Sequence, residues 1–139
     1  MTLPEPPRPN RRAANRLSAF RHAFNGWWYV VRTQENAWFH AVASIAVFTV
    51  SLWLGLTLTE WAIIILTVAM VWTSEFINTS IEATVDLASP ELHPLAKVGK
   101  DVGAAAVLVA ALNAVVVGLL VLGPPLLERV RQLLPTLGL

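Results

Sequence analysis

Three long apolar runs leave this chain few folds to choose from. The first, 37–58, carries no charge, and His40 is its one titratable group. At about 1.5 Å of rise per residue a helix of that length reaches about 33 Å, enough for a bilayer core of about 30 Å. The second run starts at Trp61, stays uncharged to Ser74 and continues in helical pattern through Ile81. The third is 102–122, with Asn113 as its strongly polar residue. Composition points the same way. Hydrophobic residues make up 55% of the 139 residues and charged residues 14%, where a soluble domain carries about 25% charged. The expected fold class is therefore all-α integral membrane, with three transmembrane helices in a single domain. The chain has no cysteine, which excludes disulfides and thiolate metal sites. A net charge of +1 gives no reason to expect a nucleic acid partner. The start of the chain, with Pro4, Glu5, Pro6, Pro7 and Pro9, does not read as a signal peptide, and 1–11 reads as a disordered tail.

A different kind of segment precedes the first span. Leu17, Phe20, Phe24, Trp27, Trp28 and Val31 fall on one arc of a helix, with Ser18, His22, Asn25 and Tyr29 off it and Arg21 and Arg32 flanking it. This predicts an N-terminal amphipathic helix over about 12–33, lying in the membrane surface. The alternative is a cytosolic helix packed on a partner. Thr57, Leu58, Thr59 and Glu60 are expected to form the tight turn between spans one and two, with Trp53 and Trp61 anchoring that end. The spans themselves are expected at about 37–58, 61–82 and 97–122, within a membrane domain of 12–127 and followed by a C-terminal tail, 128–139. Arg8, Arg11, Arg12, Arg16, Arg21 and Arg32 precede span one, Lys97 and Lys100 follow span two, and the first turn has neither Lys nor Arg. The positive-inside rule then makes the N-terminus cytoplasmic, with Arg129 and Arg131 counting weakly against it. No internal repeat, Walker-type phosphate loop or protein-kinase motif is apparent.

The chemistry concentrates at the end of span two. Glu75, Asn78, Thr79, Glu82 and Asp86 fall within about 100° of one another on a helix. The stripe begins in the membrane and ends at its surface. A charge in the bilayer costs several kcal/mol, so such residues face a protein interior or a wet cavity. Asp86 is open to a plainer reading, solvation past the helix end. Three acids on one stripe need cations, either Lys97 and Lys100 or a divalent metal. Oxygen-only ligands point to Mg²⁺ rather than zinc, and Mg²⁺ commonly binds through one or two carboxylates plus substrate phosphates. Carboxylates beside lysines at a membrane surface therefore suggest nucleotide chemistry. After Pro90 and Pro94 the chain is expected to be helical again, with Lys97, Lys100 and Asp101 on one face. Topology anchoring is the simpler role for the two lysines. Lys100 is favoured over Lys97 because its neighbour Asp101 lies at the start of the third span. Gly103, Ala104, Ala105 and Ala106 permit close helix contact.

These residues carry a resemblance. Glu75-x-x-Asn78-Thr79-x-Ile81-Glu82-x-x-x-Asp86, then His93-Pro94-Leu95-Ala96-Lys97-x-x-Lys100-Asp101, resembles the prokaryotic diacylglycerol kinase family, which includes undecaprenol kinases. The match runs over roughly 12–122. The resemblance implies a homotrimer in the bacterial inner membrane, with composite active sites near the cytoplasmic surface. It implies transfer of the γ-phosphate of MgATP to a membrane lipid alcohol, with Mg²⁺ and ATP required. By the same resemblance Glu75 looks like the general base and Asn78 its polar partner beside the reacting hydroxyl. Glu82 looks like a metal ligand, Lys100 a phosphate contact and Asp101 a nucleotide contact. Glu91, Leu92 and His93 match the loop that covers the nucleotide, with Asp86 beside them.

The chain also departs from the family pattern. The second metal-binding glutamate expected before span one is Gln34 here, with Glu35 beside it. Gln34 coordinating through its amide oxygen, with weakened metal affinity, ranks ahead of Glu35 taking over from a shifted backbone, or of a metal leaning on Glu82 and phosphates. His40 stands where proteobacterial diacylglycerol kinases tend to carry an acid. Its plainer role is a helix-end residue bonded within the bundle. Asn36 with His40, and the string from His93 to Lys97, look more like the undecaprenol kinase branch. His22, on the polar face of the surface helix, either approaches the nucleotide or is simply solvated. Undecaprenol is favoured over diacylglycerol as substrate. A scaffold or ion-binding homologue that lost activity through Gln34 is the rival from another class.

Overall fold

The computed structural model describes residues 14–89 and 93–134, with side chains from residue 18 onward. The tail 1–11, Glu91 and Leu92 lie outside the described residues. Four helices follow in order: α1 (Ala14–Thr33), α2 (Glu35–Leu54), α3 (Leu58–Ala88) and α4 (Pro94–Leu133). The last three are long and apolar enough to cross a membrane. The expected all-helical, three-span architecture is therefore present. The helix ends differ from expectation in instructive ways.

The turn between α2 and α3 comes earlier than expected. Gly55 adopts φ 71°, a left-handed conformation that a side chain would disfavour, and its N–H donates to the carbonyls of Ser51 and Leu52. Thr57 then caps α3. Its N–H donates to Glu60 Oε2 at 2.7 Å, and the Glu60 N–H donates back to Thr57 Oγ1 at 3.4 Å. This is a reciprocal capping box. Glu60 thus belongs to the first turn of α3, not to the connecting turn. Trp61 stacks on Phe48 of α2, ring centroids 6.1 Å apart.

At the other connection, His93 caps α4, its Nδ1 accepting from the Leu95 N–H at 3.2 Å, and Pro94 occupies the first helical position. Helix α4 runs through Pro124 and Pro125 to Leu133, taking in 128–133 of the segment expected as a tail. Each proline removes one backbone N–H donor, and the helix continues on the good formers Leu126, Leu127, Glu128 and Arg129.

The main packing is α3 against α4, antiparallel. Ile64 and Val71 of α3, and Gly103, Val107 and Ala110 of α4, are buried. Small residues on α4 allow this approach, because attraction between helices in lipid comes from close contact rather than from excluding water. Leu52, Leu66, Leu108 and Leu119 point outward and are exposed, as side chains facing lipid or another chain would be. In α1 the expected arc is likewise exposed at Phe20, Phe24, Trp27 and Trp28, while the residue buried in the bundle is Val30, next to the expected Val31. Arg32 lies over the Trp28 ring at 4.8 Å.

Candidate active site

The stripe on α3 faces inward where it matters. Glu75 is 1% exposed, Asn78 6% and Thr79 4%. Glu82 is half-buried and Asp86 exposed, so burial fades toward the helix end. Gly103 on α4 makes the niche: a Cβ at that position would run into Asn78 Oδ1. The sequence marked Gly103 as a close-contact residue without naming what it approaches.

Two amides hold Glu82. Asn78 Nδ2 donates to its Oε1 at 3.1 Å, one helical turn away. Gln34 Nε2 faces its Oε2 at 3.5 Å, a weak contact at the limit of hydrogen-bond distance. Gln34 is the N-cap of α2 but its side chain makes no capping bond, which leaves the amide available to reach α3. Glu35 follows in the first turn of α2 and is exposed.

Glu75 has no such support. Among the described residues neither of its oxygens has a hydrogen-bond partner, and the same holds for His40 Nε2. These groups face each other, with His40 Nε2 3.8 Å from Glu75 Oε2. The helices that carry them are fastened alongside. Trp72 Nε1 donates to Ser44 Oγ at 3.2 Å, Ser44 Oγ donates to the His40 carbonyl at 2.7 Å, and the Trp72 ring lies edge-on to His40. Trp72 and Ser44 were not among the expected site residues. The signal for Trp72 was present: an indole N–H inside an apolar run needs an acceptor.

Other expected members behave differently. The Thr79 hydroxyl donates to the Glu75 carbonyl at 2.9 Å, so it satisfies backbone rather than extending the stripe. Lys100 does not pair with its neighbour Asp101. Consecutive helical residues point about 100° apart, and Lys100 Nζ crosses to Asp86 instead, at 2.9 and 3.2 Å from its two oxygens. Asp101 takes Lys97 one turn back. Asp86 is exposed yet ion-paired, not merely solvated. Exposed pairs of this kind add little to stability, because solvent screens them. They leave Lys100 at the mouth of the site, near enough to Glu82 to interact with its charge. His22 is exposed on α1.

No group of three or more acidic, histidine or cysteine side chains among the described residues is placed to hold a metal. The donor set at Glu82 nevertheless fits Mg²⁺, which takes one or two protein ligands and completes its shell with phosphate and water oxygens. A half-turn of the Gln34 amide presents its oxygen beside the carboxylate. Two apolar clefts approach the cluster. One, of about 740 Å³, lies between α1 and α3 and is lined by Phe24, Trp27, Val30, Phe76 and Thr79. The other, of about 510 Å³, runs from His40 between α2, α3 and α4 past Val71, Ala114 and Leu119.

The chain that carries this buried carboxylate and its amide-held neighbour matches a known family. The family model for prokaryotic diacylglycerol kinase matches residues 21–122. The chain belongs to the prokaryotic diacylglycerol kinase family. An undecaprenol kinase of Bacillus subtilis is 42% identical over 118 residues, covering 84% of this chain and 96% of the relative. A diacylglycerol kinase of Synechocystis sp. is 42% identical over 117 residues, covering 84% and 67%. A diacylglycerol kinase of Escherichia coli K12 is 30% identical over 110 residues, covering 74% and 90%. Family membership makes the chain an enzyme of the lipid kinase class. Together with the three apolar helices, it marks a bacterial membrane protein.

Proposed function

We propose that the protein transfers the γ-phosphate of MgATP to the hydroxyl of a membrane lipid alcohol, with undecaprenol favoured over diacylglycerol. The observation that carries this is Glu75: a carboxylate 1% exposed, with both oxygens unpartnered among the described residues, within two turns of the Asn78–Glu82–Gln34 cluster. Phosphoryl transfer needs positioning and charge neutralisation more than covalent chemistry from the protein. Glu75 takes the proton from the lipid hydroxyl. Asn78 orients the hydroxyl and steadies Glu82. Glu82 holds Mg²⁺ with Gln34, in preference to Glu35; when bound, Mg²⁺ neutralises and orients the phosphates. Lys100 contacts phosphate, exchanging Asp86 for the incoming charge. Asp101, Asp86, His22, Glu91, Leu92 and His93 line the nucleotide side. The apolar clefts suit a hydrocarbon chain that brings its hydroxyl to the carboxylate from the membrane.

The site works as part of a homotrimer, with the N-terminus and the nucleotide on the cytoplasmic side. The outward apolar faces of α2, α3 and α4 are compatible with covering by other copies and by lipid. The undecaprenol preference is supported by the Bacillus subtilis relative, whose length the chain matches almost throughout. The equal identity to the Synechocystis diacylglycerol kinase favours diacylglycerol as the second reading. The test is phosphate transfer by purified protein with MgATP to the two lipids side by side. Faster transfer to undecaprenol supports the proposal, faster transfer to diacylglycerol selects the second reading, and transfer to neither overturns both in favour of an inactive homologue.

A further inference from the structure

The phosphotransfer scheme leaves one neighbour of Glu75 unused. His40 Nε2 stands 3.8 Å from Glu75 Oε2, and neither group has another polar partner among the described residues. Buried polar atoms in folded proteins are nearly always bonded. Two that face each other across a helix interface, both unbonded, mark a place reserved for a proton or a hydroxyl. The gap is too long for a hydrogen bond and short enough for a small ring movement to close. The position of His40 is built rather than incidental. Ser44 bonds its carbonyl, and Trp72 bonds Ser44 while presenting its ring edge to the imidazole. Among the described residues Glu75 is the one acid within 4.0 Å of His40. On the α4 side its cleft is lined by Ala111, Ala114 and Val115, which are apolar.

The two side chains differ in burial. Glu75 is 1% exposed, while the His40 side chain is 14% exposed. Glu75 is enclosed, whereas His40 faces Glu75 on one edge and opens on the other into the cleft between α2, α3 and α4. Imidazole is also the side chain best suited to take up and release a proton near neutral pH, because its ring nitrogen serves as acceptor when neutral and donor when charged.

We propose that His40 is the positioning residue of Glu75 and the exit for its proton. This rests on the reading of Glu75 as the base that deprotonates the lipid hydroxyl. In each turnover the hydroxyl O–H bond breaks and its proton goes to Glu75 Oε2. The oxygen's electron pair forms the new bond to phosphorus as the bond to the departing ADP breaks, and ADP keeps that pair. The proton then passes from Glu75 Oε2 to Nε2 of neutral His40, which restores the carboxylate. The imidazolium gives the proton up from its less buried edge to water entering the cleft from the membrane surface. No reactant beyond the two substrates and water is needed.

The experiment compares His40→Gln and His40→Ala in the purified full chain, with MgATP and whichever lipid the wild type phosphorylates. Glutamine keeps an N–H donor of similar reach but cannot carry a proton. The expected result is a kcat lower by about tenfold or more in both variants, with KM for lipid and for MgATP little changed and melting temperatures near the wild type. Added imidazole restores rate to His40→Ala in proportion to its concentration and has no effect on Glu75→Gln. A wild-type kcat in His40→Gln overturns the proposal, as does a loss in folded His40→Ala that imidazole leaves untouched. If His40→Ala does not fold, the kcat and KM of His40→Gln decide. Failure of the underlying reading looks different: the wild type transfers no phosphate, or Glu75→Gln keeps its full rate.

Discussion

Glu75 is an acid buried in an apolar helix interface with neither oxygen bonded among the described residues. An ionised group in that state opposes folding by several kcal/mol, so it is kept against stability. Glu75→Gln retains the shape and removes the ionisable group. It is expected to raise the melting temperature in detergent and to lower phosphate transfer about 100-fold or more. Melting curves and initial rates on one preparation check both, and a less stable variant with full rate contradicts the assignment. Gln34 poses the complementary question. Gln34→Glu sets a second carboxylate opposite Glu82, where the amide now stands at 3.5 Å. Without metal the two repel and the protein melts earlier; with Mg²⁺ they hold the ion more tightly. The Mg²⁺ concentration for half-maximal rate should fall several-fold, while Glu35→Gln, at an exposed position, should leave it unchanged. A higher Mg²⁺ requirement in Glu35→Gln returns Glu35 to the site. The alignment of Glu75, Asn78 and Glu82 on one side was legible from helical period alone, because the residues share one helix. The contacts that complete the site were not. Gln34 and Glu82 lie 48 residues apart and Lys100 and Asp86 14 apart. No periodicity links residues on different helices, and Gln34 was placed near the site only through the family resemblance.

Between helices, the α3–α4 contact sets where Asn78 stands. Gly103→Ala puts a methyl group into Asn78 Oδ1, so the amide must turn from Glu82 or the helices must part. Overpacking of this kind costs about 1–3 kcal/mol, and the rate should fall with the loss of the Asn78–Glu82 bond. Gly99→Ala, one turn earlier, is the control. Its methyl meets Val85 Cγ2 at 3.8 Å, an ordinary contact, and alanine favours a helix over glycine by about 0.5–1 kcal/mol. Melting should therefore move in opposite directions for the two variants. Thr57→Ala, at the far end of α3, removes the capping box. It should cost about 1 kcal/mol and leave the rate alone, which separates general stability from the site. The capping box was within reach of sequence reasoning: Thr57-x-x-Glu60 before an apolar run has the spacing of a helix start. The same residues also suit a polar turn between two apolar runs, and the geometry settles them as the start of α3. The other end of the molecule went the opposite way. An interior proline ordinarily kinks or ends a helix, yet α4 continues through Pro124 and Pro125 to Leu133.

The helix lengths decide where the site lies relative to a membrane. Helix α2 has 20 residues, about 30 Å, and just spans a bilayer core. Helix α3 has 31 residues, about 47 Å. The two share the short Gly55–Thr57 turn, so they leave the core together on the other side, near Glu35 and near residue 77. Glu75 then lies just inside the apolar layer, while Asn78, Glu82 and Asp86 lie at or beyond its edge. The proposed base then stands at the lipid end and the proposed phosphate ligands at the water end, which suits the joining of a membrane alcohol to a soluble nucleotide. Arg21, Arg32, Lys97 and Lys100 stand on that same side, whereas the Gly55–Glu60 turn has no Lys or Arg. The proposed orientation, with the site side cytoplasmic, is the one the positive-inside rule favours, with Arg129 and Arg131 at the end of α4 as the opposing charges. The chain has no cysteine, so single introduced thiols report without background. Thr59→Cys should react with a membrane-impermeant maleimide in intact cells, and Lys97→Cys should react only after the membrane is opened. The reverse pattern would put Glu82 and Lys100 on the side away from cytoplasmic ATP, and the proposed phosphate donor could then not reach the carboxylate that is meant to receive its metal.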